Sequence, residues 1–391
     1  MTSSETTKKK LYLDPNLQIV FAVTLTAVMG VSTITPAFPK MIQKLGVSGK
    51  QIGLLVTVFT LPGVFLTPIL GVLADRFGRK RILVPSLLLF GLAGGSCFLV
   101  KDFYLLLIFR FFQGVGASSL GSLNVTVIGD LYSGKDRTTA MGYNSSVLSV
   151  GTASYPAIGG ALAYLGWNYP FVLFFLGVPV GFLVLFSLKN PEPKSEQSLK
   201  EYLKGAWQGI KQKEALGLFV AGVVVFILLY GAVLTYLPVL LGFEFNAPPQ
   251  FIGIIMSCSS VAGAITSSQL GKIARYVSEK SLIRFAFLLY SIVMILNLIM
   301  PGLWWFVLPS VLFGVAQGLN MPSIMTLLAG LAPMEYRGAF MSLNGMLLRL
   351  GQTLGPVIMA GFYALGGLGA VYLAGAGIGL IMFALIAFLI K

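Results

Sequence analysis

Residues 71–83 read Gly-Val-Leu-Ala-Asp-Arg-Phe-Gly-Arg-Lys-Arg-Ile-Leu. Four cations (Arg76, Arg79, Lys80 and Arg81) and one acid, Asp75, are crowded between two long apolar runs. The chain has 391 residues, of which 10% are charged and 56% hydrophobic, and its mean hydropathy is +0.88. A soluble domain carries about a quarter charged residues and about half apolar ones. The composition is that of a polytopic membrane protein, with this knot of charge at the membrane surface.

Outward from the knot, about 20 apolar residues are needed for each helical crossing. That rule predicts twelve spans, near 17–38, 51–74, 82–100, 103–131, 139–164, 170–188, 217–241, 250–272, 283–300, 303–331, 339–362 and 368–390. The first run is long for a signal-peptide core and no small-residue cleavage pattern follows it, so it is read as a span. Short connections such as Lys101-Asp102 and Pro301-Gly302 make consecutive helices antiparallel neighbours.

Charge sets the expected orientation. Of 27 Lys and Arg, 21 fall in the N-terminal tail, in alternate loops on one side, or at Lys391. Four (Lys40, Lys44, Lys50 and Lys101) fall on the other side, and Arg110 and Arg349 lie inside spans. The positive-inside rule then places both termini in the cytoplasm. The net charge of +14 is absorbed by topology and gives no argument for nucleic acid. Cys97 and Cys258 sit in separate apolar runs, too few for a disulfide framework or metal site. Histidine is absent, which excludes a histidine relay. Neither a phosphate-binding glycine loop, nor paired buried carboxylates, nor a nucleophile elbow is present, so no enzyme, cofactor or metal is expected.

The longest loop divides the chain into a six-span bundle (1–188), a linker (189–216) and a second six-span bundle (217–391). Within the linker Ser198 and Glu201 fit a capping box. Leu199, Tyr202, Leu203, Trp207 and Ile210 follow at helical spacing, so the segment reads as an amphipathic surface helix or as a solvated tether. The halves repeat at an offset of 200 without a gap. Ile52-Gly53 meets Ile252-Gly253, Gly63 meets Gly263, Gly71 meets Gly271, and Gly114-Val115 meets Gly314-Val315. Arg137 meets Arg337, Asn144 meets Asn344, Gly151 meets Gly351, and Pro156 meets Pro356. Two parallel six-span repeats form a transporter architecture, with substrate near the midplane between them.

The chain resembles the twelve-span drug:proton antiporters of the major facilitator superfamily. GVLADRFGRKRIL matches that superfamily's loop between spans two and three. GVSTITPAFP (30–39), RFFQGVGA (110–117) and GTASYPAIGG (151–160) resemble its motifs in spans one, four and five, with Tyr155 where the last usually has glycine. The resemblance implies an all-α membrane protein of twelve transmembrane helices in two pseudo-symmetric six-helix bundles. It further implies alternating access, a small-molecule substrate, protons as coupling ion, and a prokaryotic inner membrane. The cavity is completed within one chain, so a monomer is expected. The leading reading is proton-coupled efflux of small amphiphiles. Uptake of a small organic anion and lipid flipping are the alternatives.

Site expectations follow. Gly71 allows close helix approach and Gly78 a tight turn. Asp75 suits the positive end of a neighbouring helix, which the resemblance makes span eleven, near Gly338. Arg79 is placed to pair with Asp130. With Arg76, Arg137 and Arg337 these residues form an expected cytoplasmic gate, holding the halves together while the cavity faces outward. The plainer alternative is that the charges only enforce topology. In the second half Arg275 replaces the acid, so the equivalent gate is degraded.

Arg110 lies roughly 10 Å into span four. A charge at that depth is costly and usually functional. The resemblance assigns it to proton transfer, with Gln113 one turn away; bonding to span-one carbonyls is the alternative. Arg349 lies near the midplane of span eleven. Asn124, Asn144, Gln317, Asn320 and Asn344 complete the expected substrate and proton pathway, though any one of them is more often helix-to-helix glue. The resemblance leads one to expect a mid-membrane acid in exporters of cationic drugs. None stands here, so the expected cavity holds two arginines and favours anionic, zwitterionic or neutral amphiphiles. Pro36, Pro39, Gly151, Pro156, Gly160 and Pro356 are expected to let helices bend and pack closely.

Overall fold

The computed structural model describes residues 11–190, 213–331 and 337–389, and these residues contain no strand. The proposed linker helix lies outside them, as do the side chains of Arg337 and Gly338. Ten helical segments are long and apolar enough to cross a membrane. They include α1 (Pro15–Leu45), α2 (Leu54–Phe77), α3 (Arg79–Leu99), α4 (Phe103–Leu131), α6 (Tyr169–Ser187) and α7 (Lys213–Glu244). Next come α8 (Pro249–Ile273), α9 (Glu279–Ile299) and α10 (Leu303–Leu331). The tenth segment belongs to a helical run, Arg337–Leu389, that bends back at Gly366–Gly367. Gly367 has φ +64°, which a side chain disfavours, so the run is two spans, α11 (337–365) and α12 (368–389). Helix α5 (Gly134–Leu165) has the length to cross but is too polar for a hydropathy criterion. With it the spans among the described residues number twelve.

Two acids close helix ends. Asp14 caps α1 by accepting from the backbone of Asn16 at 2.8 Å, and Asp102 caps α4 through Leu105 at 2.8 Å. Such caps are worth about 1 kcal/mol each. Two spans are less regular than their hydropathy suggests. Helix α1 is interrupted after Ser32 and restarts through Thr35–Ala37 and Phe38–Leu45, with Pro36 and Pro39 at the first positions of the new turns. Helix α7 widens to π geometry over Leu228–Tyr236, just before Pro238.

The offset of 200 reappears as geometry. A Cβ on Gly114 would run into the Phe59 carbonyl, and one on Gly314 into the Ser259 carbonyl. Thr67 donates to the Ser118 carbonyl at 2.8 Å, and Ser267 to the Gly318 carbonyl at 3.3 Å. These pairs fix α2 on α4 and α8 on α10 in the same register.

Helix α2 of the first half meets α11, and α8 of the second meets α5. Away from the basic loops both seams are tight. A Cβ on Gly253 would strike the Pro156 carbonyl, and one on Gly53 would lie 3.0 Å from Pro356 Cβ. Ser257 accepts from the Ala157 amide at 3.2 Å, and Thr57 donates to the Thr353 carbonyl at 3.1 Å. Gly160 packs on the Pro249 carbonyl in the same way. Toward the basic loops, Gly71, Gly142, Gly271 and Gly345 have nothing within 4 Å of where a Cβ would stand. The halves are closed on one side and parted on the basic side.

This corrects two expectations. Gly71 makes no close helix contact, because a cleft lies between the ends of α2 and α11. Pro156 and Pro356 lie in unbroken helix and serve as contact surfaces for glycines of the opposite half, while the visible break is at Pro36 and Pro39. Gly151 packs against Val28 and Leu25 of α1.

Candidate functional site

A cavity of about 630 Å³ lies between the halves. Helices α1, α2, α4 and α5 line it from one half, and α7, α8, α10 and α11 from the other. Its wall is mainly apolar, with Phe59, Val125, Leu229, Met256 and Met325, and carries hydroxyls from Ser118, Ser122, Ser259, Ser260 and Tyr230. Mostly apolar lining with a few polar groups is the general character of small-molecule sites. The one charged residue on this wall is Arg349. Its Nη1 donates to Gln352 Oε1 at 3.1 Å. From α11 the side chain lies across α2, where a Cβ on Gly63 would stand 3.2 Å from Arg349 Cδ. Below it the Thr353 and Thr60 hydroxyls meet at 2.9 Å. Arg349 is therefore anchored in one half and laid on the other.

At the basic end the charged loop is organised around Arg79. Gly78, at φ +105°, makes the turn that brings Arg79 back toward α2. Arg79 is buried, pairs with Asp75 one turn away, and donates from Nε to Asp130 of α4 at 3.1 Å. Arg76 is exposed and rests on the Phe77 ring. Arg137 caps the end of α4, donating to the carbonyls of Gly129 at 2.6 Å and Tyr132 at 3.0 Å. A cleft of about 360 Å³ separates Gly71 and Asp75 from Met341, Ser342 and Gly345 at the start of α11. It shares Thr67, Ser122, Val125 and Gly345 with the central cavity, so the two spaces adjoin.

The Major Facilitator Superfamily model matches residues 20–245 and 219–391. The chain belongs to the major facilitator superfamily. Among its relatives is the bacillibactin exporter of Bacillus subtilis (strain 168), 27% identical over 366 residues, covering 88% of this chain and 89% of that one. Multidrug resistance protein 1 of the same organism is 28% identical over 348 residues, covering 88% of each. The crystal structure of a mutant nucleoside transporter NupG superposes with a TM-score of 0.80 at 17% identity, over 97% of this chain and all of that one. The protein is thus a membrane transporter and not an enzyme.

Within this superfamily fold, the eight residues expected to form one pathway are dispersed. Only Arg349 is on the cavity wall. Arg110 has no exposed surface; its Nε donates to the Leu55 carbonyl at 3.1 Å and its Nη1 to Gln113 Oε1 at 2.6 Å. The expectation of two arginines in one cavity is corrected to one, because Arg110 faces α2 with Phe59 covering it. Its carbonyl partner also belongs to α2, not α1.

Four of the amides, Asn124, Asn144, Gln317 and Asn344, bond across helices, as polar groups in a bilayer do. Asn124 donates to Thr24, and Thr24 donates to Asn144 at 2.5 Å, joining α4, α1 and α5. Gln317 accepts from Tyr290 at 2.9 Å, joining α10 and α9. Asn344 donates to Met325 Sδ at 3.4 Å and leaves its Oδ1 unpartnered, while Asn320 is buried with neither amide atom paired. Sequence reasoning missed Phe59, Gly63 and Tyr230 on or beside the wall. Gly63 alone had a signal, its match to Gly263.

Proposed function

We propose that this transporter exports small amphiphilic compounds, neutral or anionic, by proton-coupled alternating access. The observation that carries the substrate class is Arg349, among the described residues the one charged group on a wall otherwise made of apolar side chains, hydroxyls and the Gln352 amide. In such low-dielectric surroundings a cation with no carboxylate beside it among the described residues favours an anionic partner and disfavours a second cation. The direction is supported by relatives whose names are those of a bacillibactin exporter and a multidrug resistance protein. The basic side is taken as cytoplasmic, with both termini there, which makes the present conformation inward-facing.

The Arg79 cluster is the gate in this reading. When the cleft beside Asp75 closes, the carboxylate reaches the positive N-terminal end of α11. In the present conformation Asp75 instead pairs with Arg79, as an opened latch would.

The test uses purified protein in proteoliposomes with an imposed pH gradient. The probes are a matched pair on one aromatic scaffold, a naphthalenesulfonate and a naphthalene trimethylammonium. The sulfonate is transported by the parent, and Arg349→Gln raises its KM about tenfold, equivalent to about 1.4 kcal/mol. Strong transport of the cation with no response to the anion overturns the substrate class. Uptake of an organic anion, which Arg349 also suits, would run in the opposite direction in inside-out vesicles.

A further inference from the structure

Phe59 touches both the cavity and Arg110. It is on the cavity wall, and its ring centroid lies 4.2 Å from the Arg110 guanidinium carbon. Helix α2 gives Arg110 both this ring and, one turn earlier, the Leu55 carbonyl. The remaining nitrogen, Nη2, has no hydrogen-bond partner, and the titratable group set against Arg110 is the Cys97 thiol. A buried cation without a carboxylate depends on such contacts, and a ring face in a desolvated site is one of the stronger ones.

The surroundings of Phe59 hold its backbone and seat its ring against Gly30. Gly114 of α4 packs directly on the Phe59 carbonyl, so the α2 backbone cannot move here without moving α4. On α1, a Cβ at Gly30 would run into the ring, so the space the ring occupies exists because residue 30 has no side chain. The second half keeps the backbone arrangement and drops the pair. Gly314 packs on the Ser259 carbonyl, Ser259 is on the cavity wall, and Ser310 takes the place of Arg110. The ring and the guanidinium are thus a paired addition to one half.

We infer that Phe59 is the positioning residue through which a compound in the cavity acts on Arg110. A ligand touching one side of the ring sets where the other side lies on the guanidinium, and so alters the surroundings of the buried charge when the cavity fills. The inference rests on the proton-coupled reading and on the part in it that the resemblance gives Arg110.

Two transport modes in proteoliposomes test it, with the naphthalenesulfonate as probe. One is accumulation driven by a pH gradient; the other is counterflow without a gradient. Both depend on binding, so their ratio isolates coupling. Arg110→Ala and Phe59→Leu each lower the ratio about tenfold, the scale of a lost desolvated cation–π contact. Phe59→Tyr restores it by restoring the ring. Gly30→Ala, which presses on the ring from α1, lowers it too and serves if Phe59→Leu does not fold. An unchanged ratio in Phe59→Leu or Gly30→Ala beside a lowered one in Arg110→Ala overturns this inference alone, as does failure of Phe59→Tyr to restore. An unchanged ratio in Arg110→Ala removes the coupling reading, and this inference with it.

Discussion

The α2–α11 seam and the α8–α5 seam are the same construction 200 residues apart, yet the loops at their basic ends are not. At the seams Gly53 faces Pro356 as Gly253 faces Pro156, and Thr57 reaches α11 as Ser257 reaches α5. At the loops, Asp75 and Arg79 become Arg275 and Glu279, and Asp130 becomes Gly330. The two charges four residues apart are inverted, and the third partner on the neighbouring helix is gone. Close backbone packing tolerates no added atom, so both copies keep it. Side-chain charge at a membrane surface is replaceable, so the copies diverged there. On the proposed gate, one loop locks and the other only connects.

The largest effect expected from breaking this comparison is at Arg79. Arg79→Ala leaves Asp130, whose side chain is 12% exposed, without its cation. Removing one member of a buried pair costs about 3–5 kcal/mol. In the second loop Lys280 pairs with Glu214 at 3.5 Å with both side chains well exposed, and Lys280→Ala costs within about 1 kcal/mol. Thermal unfolding midpoints in detergent compare the two; equal shifts would remove the asymmetry. Next come the seams. Gly253→Ala drives a methyl into the Pro156 carbonyl and costs about 1–3 kcal/mol, with Gly53→Ala milder because its neighbour is a ring carbon 3.0 Å away. Cysteine accessibility along α5 and α8 should rise in Gly253→Ala as that seam loosens. If Gly53→Ala proves the worse, the α2–α11 seam is the tighter one and the comparison inverts.

The smallest difference lies in the amides. Asn144 belongs to a chain through Thr24 to Asn124, but Val224 stands where the repeat would put a second Thr24. Interhelical hydrogen bonds in membranes average about 0.6 kcal/mol. Asn144→Ala should therefore lose about that much stability. Asn344→Ala, whose bond is to a thioether and whose Oδ1 is unpartnered, should lose less in the same measurement.

Much of this was legible in the sequence, because hydropathy reports depth and the repeat reports register. Span positions needed only these; the Gly78 turn needed glycine's conformational freedom, and the Arg79–Asp130 pair the meeting of opposite charges. What was not legible was azimuth. Arg110 and Arg349 are both deep in their helices, and depth alone cannot say that one turns toward α2 and the other toward the open space. Nor could hydropathy see the break after Ser32 or the widened turn at Leu228–Tyr236, since both segments are as apolar as regular helix. Gly71 is a different case: the sequence places it at the end of α2 but does not report how far that end stands from α11, and here nothing lies within 4 Å of where its Cβ would stand.

Arg349 gives the cavity an electrical signature. On the anionic reading, a bound monoanion cancels the charge of Arg349 while access changes, whereas the cavity without the anion carries that charge through the change, beside any coupling proton. A unit charge moved through 100 mV is worth about 2.3 kcal/mol. The return of the transporter without the anion, and not the step that carries cargo, is then where Arg349 brings membrane voltage into the cycle, beside whatever the coupling proton adds. A return step insensitive to voltage would show that the charge never crosses the field.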